Sequence, residues 1–231
     1  MEDHFLLILA DSQLPIGSFA YSSGLESCSI HNPGTDVADF LKHSIDSLCH
    51  TTIPFIRAAY TDPRNAVAYD DTFDANTPCQ VARRASLTQG RALLKLIVKT
   101  FLQHCGDEDE ELYKQVLAYK AAVHSPHAAA TGHFGVVSGL AGRVLGIGLD
   151  RLTFAFLQSH AKAVLSAAVR LSLIGPYEST HLLASKCTRQ AIQQAIEKTK
   201  NMGIDDCGQT FSIVDVWQGR HELLYSRIFS A

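Results

Sequence analysis

Residues 152–174 read Leu152-Thr153-Phe154-Ala155-Phe156-Leu157-Gln158-Ser159-His160-Ala161-Lys162-Ala163-Val164-Leu165-Ser166-Ala167-Ala168-Val169-Arg170-Leu171-Ser172-Leu173-Ile174, and their pattern decides the fold class. Apolar side chains fall on nearly every face of a 3.6-residue period, and a helix that is apolar all round belongs in the centre of a helical protein. Gln158, His160, Lys162 and Arg170 interrupt the run at intervals that would be expensive inside a bilayer. The stretch therefore predicts a buried central helix over 152–174 and not a membrane span.

Outward from this centre the same period recurs. Leu41, Ile45, Leu48, Ile56 and Ala59 step by three and four between Asp39 and Tyr60, with Pro54 expected to kink or end that helix. Leu87, Gly90, Leu94, Ile97 and Phe101 form a second stripe, and Leu112, Val116, Tyr119 and Val123 a third. The acidic run Asp107-Glu108-Asp109-Glu110-Glu111 reads as the solvated first turn of that third helix, where carboxylates suit the helix dipole. Ala191, Ile192, Ala195 and Ile196 make a further stripe, and Trp217, Leu224 and Ile228 the last. No strand-type alternation of similar length competes. The expectation is an all-α, single-domain bundle of roughly eight to ten helices spanning residues 1–231. The polar stretch Thr61–Pro78 reads as a linker inside that one domain.

Glycines at 132, 135, 139, 142, 146 and 148 alternate with Val136, Val137, Leu140, Val144 and Leu145. Each helical glycine costs about 1 kcal/mol relative to alanine. A run that tolerates several gains from close backbone approach, so a tightly packed helix is expected there.

The 231 residues are 46% hydrophobic with a formal net charge of −3, enough apolar material for a packed core and no excess of Lys and Arg for phosphate neutralisation. Nucleic acid and membrane are not expected partners. The acidic start Glu2-Asp3 and the short apolar run Phe5–Ala10 do not match a secretory signal, so a cytoplasmic protein is expected. Six scattered cysteines without a CxxC pair read as reduced thiols.

Common catalytic templates fail. No GxxxxGK[ST] or GxSxG is present, and Gly146-Ile147-Gly148 lacks the third glycine and preceding strand of a dinucleotide turn. No nucleophile, oriented base and oxyanion donor are legible together, so the chain is not expected to be an enzyme, and no cofactor is implied. His124, His127 and His133 form the densest histidine cluster, but Pro126 breaks the helix that would align the first two. Cys28 and His31 lie three apart with no second pair to complete a tetrahedral set.

The two ends carry the distinctive residues. Leu14-Pro15-Ile16-Gly17-Ser18-Phe19-Ala20-Tyr21-Ser22-Ser23-Gly24-Leu25-Glu26 combines a turn with Ser18 as a candidate N-cap, its aromatics either entering the core or facing a partner. The closing segment holds Trp217, Arg220, Tyr225, Arg227 and Phe229, residue types that dominate interface energies. Ser212 and Asp215 have capping-box spacing, which makes a terminal amphipathic helix the plainer reading: Trp217 and Leu224 inward, Arg220, Tyr225 and Arg227 outward.

The first of these segments resembles the LPxGxFxxSxGLE stretch of the urease accessory protein UreF family. The resemblance continues through Arg84-Ala85-Ser86, Gln89-Gly90-Arg91, Gly132-His133, Ser166–Leu171 and Arg220–Phe229, in order along almost the whole chain. One departure stands at Ile174–His181, where the family often has Leu-Gly-Gln-Thr-x-x-Gln. The resemblance implies a non-catalytic helical protein that forms a homodimer, joins a UreD-type (UreH-type) accessory protein and a UreG-type GTPase, and helps deliver nickel to apo-urease as scaffold and GTPase regulator. Segments 1–30 and 213–231 are its expected interaction elements. The expected partner-binding residues are Pro15, Gly17, Tyr21, Gly24 and Glu26 at one end, and Arg220, His221, Glu222, Tyr225, Arg227 and Phe229 at the other. The resemblance singles out no arginine as a GTPase finger. The alternative is a metallochaperone that binds nickel directly through His124, His127, His133 and the cysteines.

Overall fold

The computed structural model describes residues 2–104, 110–125 and 129–230, and within them every regular element is helical. The α-helices are α1 (Glu2–Leu9), α2 (Leu25–His31), α3 (Val37–Thr51), α4 (Ile53–Thr61), α5 (Ala66–Ala75), α6 (Gln80–Leu96), α7 (Glu110–His124), α8 (Phe134–Val144), α9 (Leu149–Arg170), α10 (Pro176–Ala184), α11 (Lys186–Thr199) and α12 (Ile213–His221). The all-α class matches the sequence reading. The twelve helices exceed the expected eight to ten, because short α1, α2 and α5 lie where no long apolar stripe marks them. None of the helices described is long and apolar enough to cross a membrane.

The central helix is α9. It packs on α1, α2, α3, α4, α8, α10 and α11, burying Leu157, Ala161, Val164, Leu165, Ala167 and Ala168. It stops at Arg170, not at Ile174. Ser172 takes a left-handed φ of 57°, and the amides of Ser172 and Leu173 donate to the carbonyls of Val169 and Ala168. That pair of bonds is a Schellman cap, which satisfies the last carbonyls and turns the chain away.

Pro54 ends the α3–α4 stripe instead of kinking it, sitting in the first turn of α4 where its missing N–H costs nothing. The glycine-rich helix is α8, packed between α4 and α6. A methyl group at Gly139 would overlap the carbonyl oxygen of Ile56, and one at Gly90 of α6 would overlap that of Gly132. Backbones thus approach at distances that only a missing Cβ permits.

The expected linker 61–78 is instead largely helix: a 3-10 turn at Pro63–Asn65 leads into α5. Its polar composition misled because Asp70 points inward, fully buried, while Phe73 joins the core. The stripes of α7 and α11 are buried as expected. Asp107, Glu108 and Asp109 of the acidic run, Cys105, Pro126 and His127 lie outside the described residues. The five described cysteines, Cys28, Cys49, Cys79, Cys187 and Cys207, are free thiols.

Candidate functional site

The chain's two ends meet, and a single carboxylate joins them. Ser18 opens only a 3-10 turn, Ser18–Ala20, and makes no capping bond, so the expected N-cap is not formed. The helix instead begins after Gly24, whose φ of 87° places it in the left-handed region that favours glycine. A side chain there would also press on Val214 and Gln218 of α12. This close approach sets α2 against α12 and aims Glu26, only 2% exposed, at the C-terminal segment.

Glu26 takes three donors from that segment. His221 Nε2 lies 2.7 Å from Oε2, the Ile228 amide donates to Oε1 at 2.7 Å, and the Phe229 amide donates to Oε2 at 3.1 Å. A carboxylate can only accept, so the His221 proton facing it sits on Nε2. Nearby, the Ser230 amide donates to the Ala20 carbonyl at 2.8 Å. Arg170 closes the junction: its guanidinium lies 4.2 Å from the Phe229 ring centroid and donates to the Phe19 carbonyl at 2.7 Å. Residues 222–230 are thereby held as a strap over the N-terminal segment.

The eleven expected partner-binding residues divide. Gly24, Glu26, His221 and Phe229 are buried and build the junction, whereas Pro15, Arg220, Glu222, Tyr225 and Arg227 are exposed. Gly17 and Tyr21 are half-buried. Tyr225 stands fully free of the surface, and Phe19, Leu223 and Ile228 in the same two segments are exposed as well. Glu222 pairs with Arg84 at 2.6 Å, which holds its carboxyl below the usual range. Ile228 therefore leaves the expected apolar stripe, while Trp217 packs on Phe40 and Phe211. Ser212 makes no side-chain cap, and Asp215 accepts instead from Gln209; burial raises the Asp215 carboxyl.

A second buried network escaped the sequence reading. Asp70 Oδ1 accepts from Tyr119 Oη at 3.0 Å and the His133 amide at 2.7 Å; Oδ2 accepts from Thr131 Oγ1 and the Gly132 amide, each at 2.9 Å, and from the Thr131 amide. This carboxylate organises the turn that enters α8. Beside it, His133 Nδ1 lies 3.0 Å from Ser86 Oγ and Nε2 lies 2.8 Å from Asp74, which Arg83 also grips. Serine, histidine and aspartate thus line up, but with the ring nitrogens exchanged relative to a hydrolytic triad, and Ser86 Oγ accepts the Phe134 amide at 3.1 Å and so caps the first turn of α8. Burial pushes the His133 imidazole down, and the hydrogen bond from Arg83 holds Asp74 low.

Metal-binding candidates are dispersed. His133 is committed to Asp74 and Ser86, His124 Nδ1 contacts the Lys120 carbonyl, and His31 Nδ1 contacts the Ser27 carbonyl. Among the described residues no group of three or more His, Cys, Asp or Glu side chains is placed to hold a metal ion. A cavity of about 330 Å³ lies between the N-terminal segment, α3, α6 and α9, with His160 on its wall. His160 Nε2 is 2.7 Å from Ser44 Oγ, and burial lowers the imidazole to about 4.

The UreF family profile matches residues 31–186. Over the full length, the chain is 37% identical to an "Uncharacterized urease accessory protein UreF-like" of Schizosaccharomyces pombe, covering all of this chain and 97% of that protein. It is 32% identical to "Urease accessory protein F" of Oryza sativa subsp. indica, covering 96% and 82%, and 29% identical to the protein of the same name from Arabidopsis thaliana, covering 96% and 89%.

Proposed function

Because the chain belongs to the UreF family of urease accessory proteins, we propose that it serves urease maturation as a non-catalytic scaffold whose joined ends dock a UreD-type accessory protein. In this reading it acts as a cytoplasmic homodimer. Its complex also receives a UreG-type GTPase, whose activity it regulates, and apo-urease; nickel is the cargo of the assembly.

The observation that carries the docking reading is the set of exposed apolar side chains on the joined ends, Phe19, Leu223, Tyr225 and Ile228, with Arg227 in the same strap and Arg220 in the last turn of α12. Aromatic anchors beside arginine are what strong interfaces use, because they bury large area at low conformational cost and donate to carboxylates at the rim. The surface is presented by a structured strap, so little ordering is needed on binding.

The test is a chain ending at His221, which leaves α12 whole and removes the exposed strap. It should fold and should lose co-purification with the UreD-type protein. Full retention of that partner by a folded truncation would refute the docking reading. GTP hydrolysis by the UreG-type protein, measured with and without the full chain and the UreD-type protein, tests the regulatory part; an unchanged rate counts against it.

A further inference from the structure

We infer, on the docking reading above, that Glu26 is the positioning residue of the docking surface: from inside the protein it sets the strap in the shape that presents Tyr225 and Arg227, and so fixes partner affinity without touching the partner. Glu26 is 2% exposed and is reached from the strap by two main-chain amides and by His221 at the end of α12. Those three donors lie on both sides of Tyr225, so both anchors of the exposed stretch 222–227 converge on one carboxylate. Other bonds to the strap act at its edges: Ser230 on Ala20, Arg84 on Glu222, and Arg170 on the Phe229 ring.

The His221 ring adds a second observation. Its buried Nδ1 has no hydrogen-bond partner among the described residues, so Nε2 to Glu26 is the hydrogen bond that orients the ring. Without the carboxylate, His221 and the amides of Ile228 and Phe229 would all lose their acceptor, the first and last of them in a buried place, and the strap would open to water to satisfy them. The partner that fits the closed strap has an apolar recess for Tyr225 and Leu223 and carboxylates opposite Arg220 and Arg227.

The experiment uses the full chain and the UreD-type protein. Glu26→Gln puts an amide N–H₂ where one of the strap donors needs an acceptor. It should weaken partner binding about tenfold, the scale set by one poorly met buried bond, and speed tryptic cleavage after Arg227 by a similar factor because the open strap is the cleavable form. Tyr225→Ala should weaken binding without changing cleavage. Because Glu26 acts through Tyr225, the double variant should bind no more than about twofold worse than the weaker single variant. In the unsubstituted free chain, the Ile228 and Phe229 amides should exchange with solvent slowly.

The proposal is overturned if those two amides exchange as freely as an unstructured peptide. It is equally overturned if Glu26→Gln leaves affinity and cleavage unchanged while Tyr225→Ala weakens binding, or if the two losses multiply in the double variant. Undiminished binding by the chain ending at His221 would instead remove the docking reading itself.

Discussion

Asp70→Asn should be among the most damaging near-isosteric substitutions in this protein. The carboxylate is fully buried and accepts five hydrogen bonds, three of them from consecutive main-chain amides at 131, 132 and 133. An asparagine must place its N–H₂ at one of the two oxygen positions. At the Oδ2 position it would face two amide N–H groups and the Thr131 hydroxyl. At Oδ1 it could donate to Tyr119 Oη, whose proton can turn away, but it would still meet the His133 amide. The better rotamer thus leaves one buried main-chain donor unsatisfied, about 1–3 kcal/mol. It also removes the charge that strengthens the three bonds at Oδ2, roughly 0.5–1 kcal/mol each.

The sum is about 2.5–6 kcal/mol, and for a chain of this size each kcal/mol moves Tm by about 2–4 °C. The expected fall is therefore on the order of 10 °C, read by thermal melting followed by circular dichroism. Tyr119→Phe, which removes one of the five donors and leaves the rest, should lose about 1 kcal/mol. If Asp70→Asn melts within about 2 °C of the unsubstituted chain, the carboxylate is not the organiser of the turn before α8 and the reasoning fails.

Three further outcomes follow from the same geometry. His160 has its folded value lowered to about 4 by burial against an unfolded value of 6.5, so the unfolded chain binds an extra proton between those limits and stability falls as pH drops through that window. Melting from pH 7.5 to 4.5 should show about 2–3 kcal/mol less loss for His160→Gln than for the unsubstituted chain; equal pH dependence in the two would contradict an imidazole held neutral in the fold. Gly139→Ala should destabilise by about 1–3 kcal/mol, since the added methyl meets the Ile56 carbonyl and α4 must move away, whereas an unchanged urea midpoint would mean that α4 and α8 separate at no cost. Tyr225→Ala, at a fully exposed side chain, should change stability by less than about 0.5 kcal/mol while weakening capture of the UreD-type protein, and a large loss of stability would show that the side chain packs somewhere in the free protein.

The helical class was legible because it is written in local spacing. The stripes of α3, α6, α7, α9 and α11 repeat every three to four residues, and burial of Ile45, Leu94, Tyr119, Leu157 and Ile192 follows from position on a face. Where a polar residue was turned inward, the spacing said the wrong thing. Asp70 made 61–78 look like a linker because a lone buried aspartate has no sequence signature. Its five donors come from Tyr119 and the 131–133 turn, at least 49 residues away in the chain. Ser212 and Asp215 have capping-box spacing, yet no box forms: Ser212 has helical φ and ψ and makes no side-chain cap bond, and the Asp215 carboxylate accepts from Gln209. The two end segments meet in space at Glu26, but which of their residues face outward could not be read from the ends separately.

By itself, the sequence determined the all-α class, the central place of a helix within residues 152–174, the close-packed glycine helix and the likeness of its ordered motifs to UreF. Each of these rests on side-chain type and local spacing, which are properties of one stretch at a time. Only the tertiary structure decided that Glu26 and the strap 222–230 form one junction, that His133 serves Asp74 and Ser86, and that Phe19 faces solvent. Those outcomes depend on hydrogen bonds between residues 47 to 203 positions apart, and such bonds have no periodicity in the chain because partners need only meet in space.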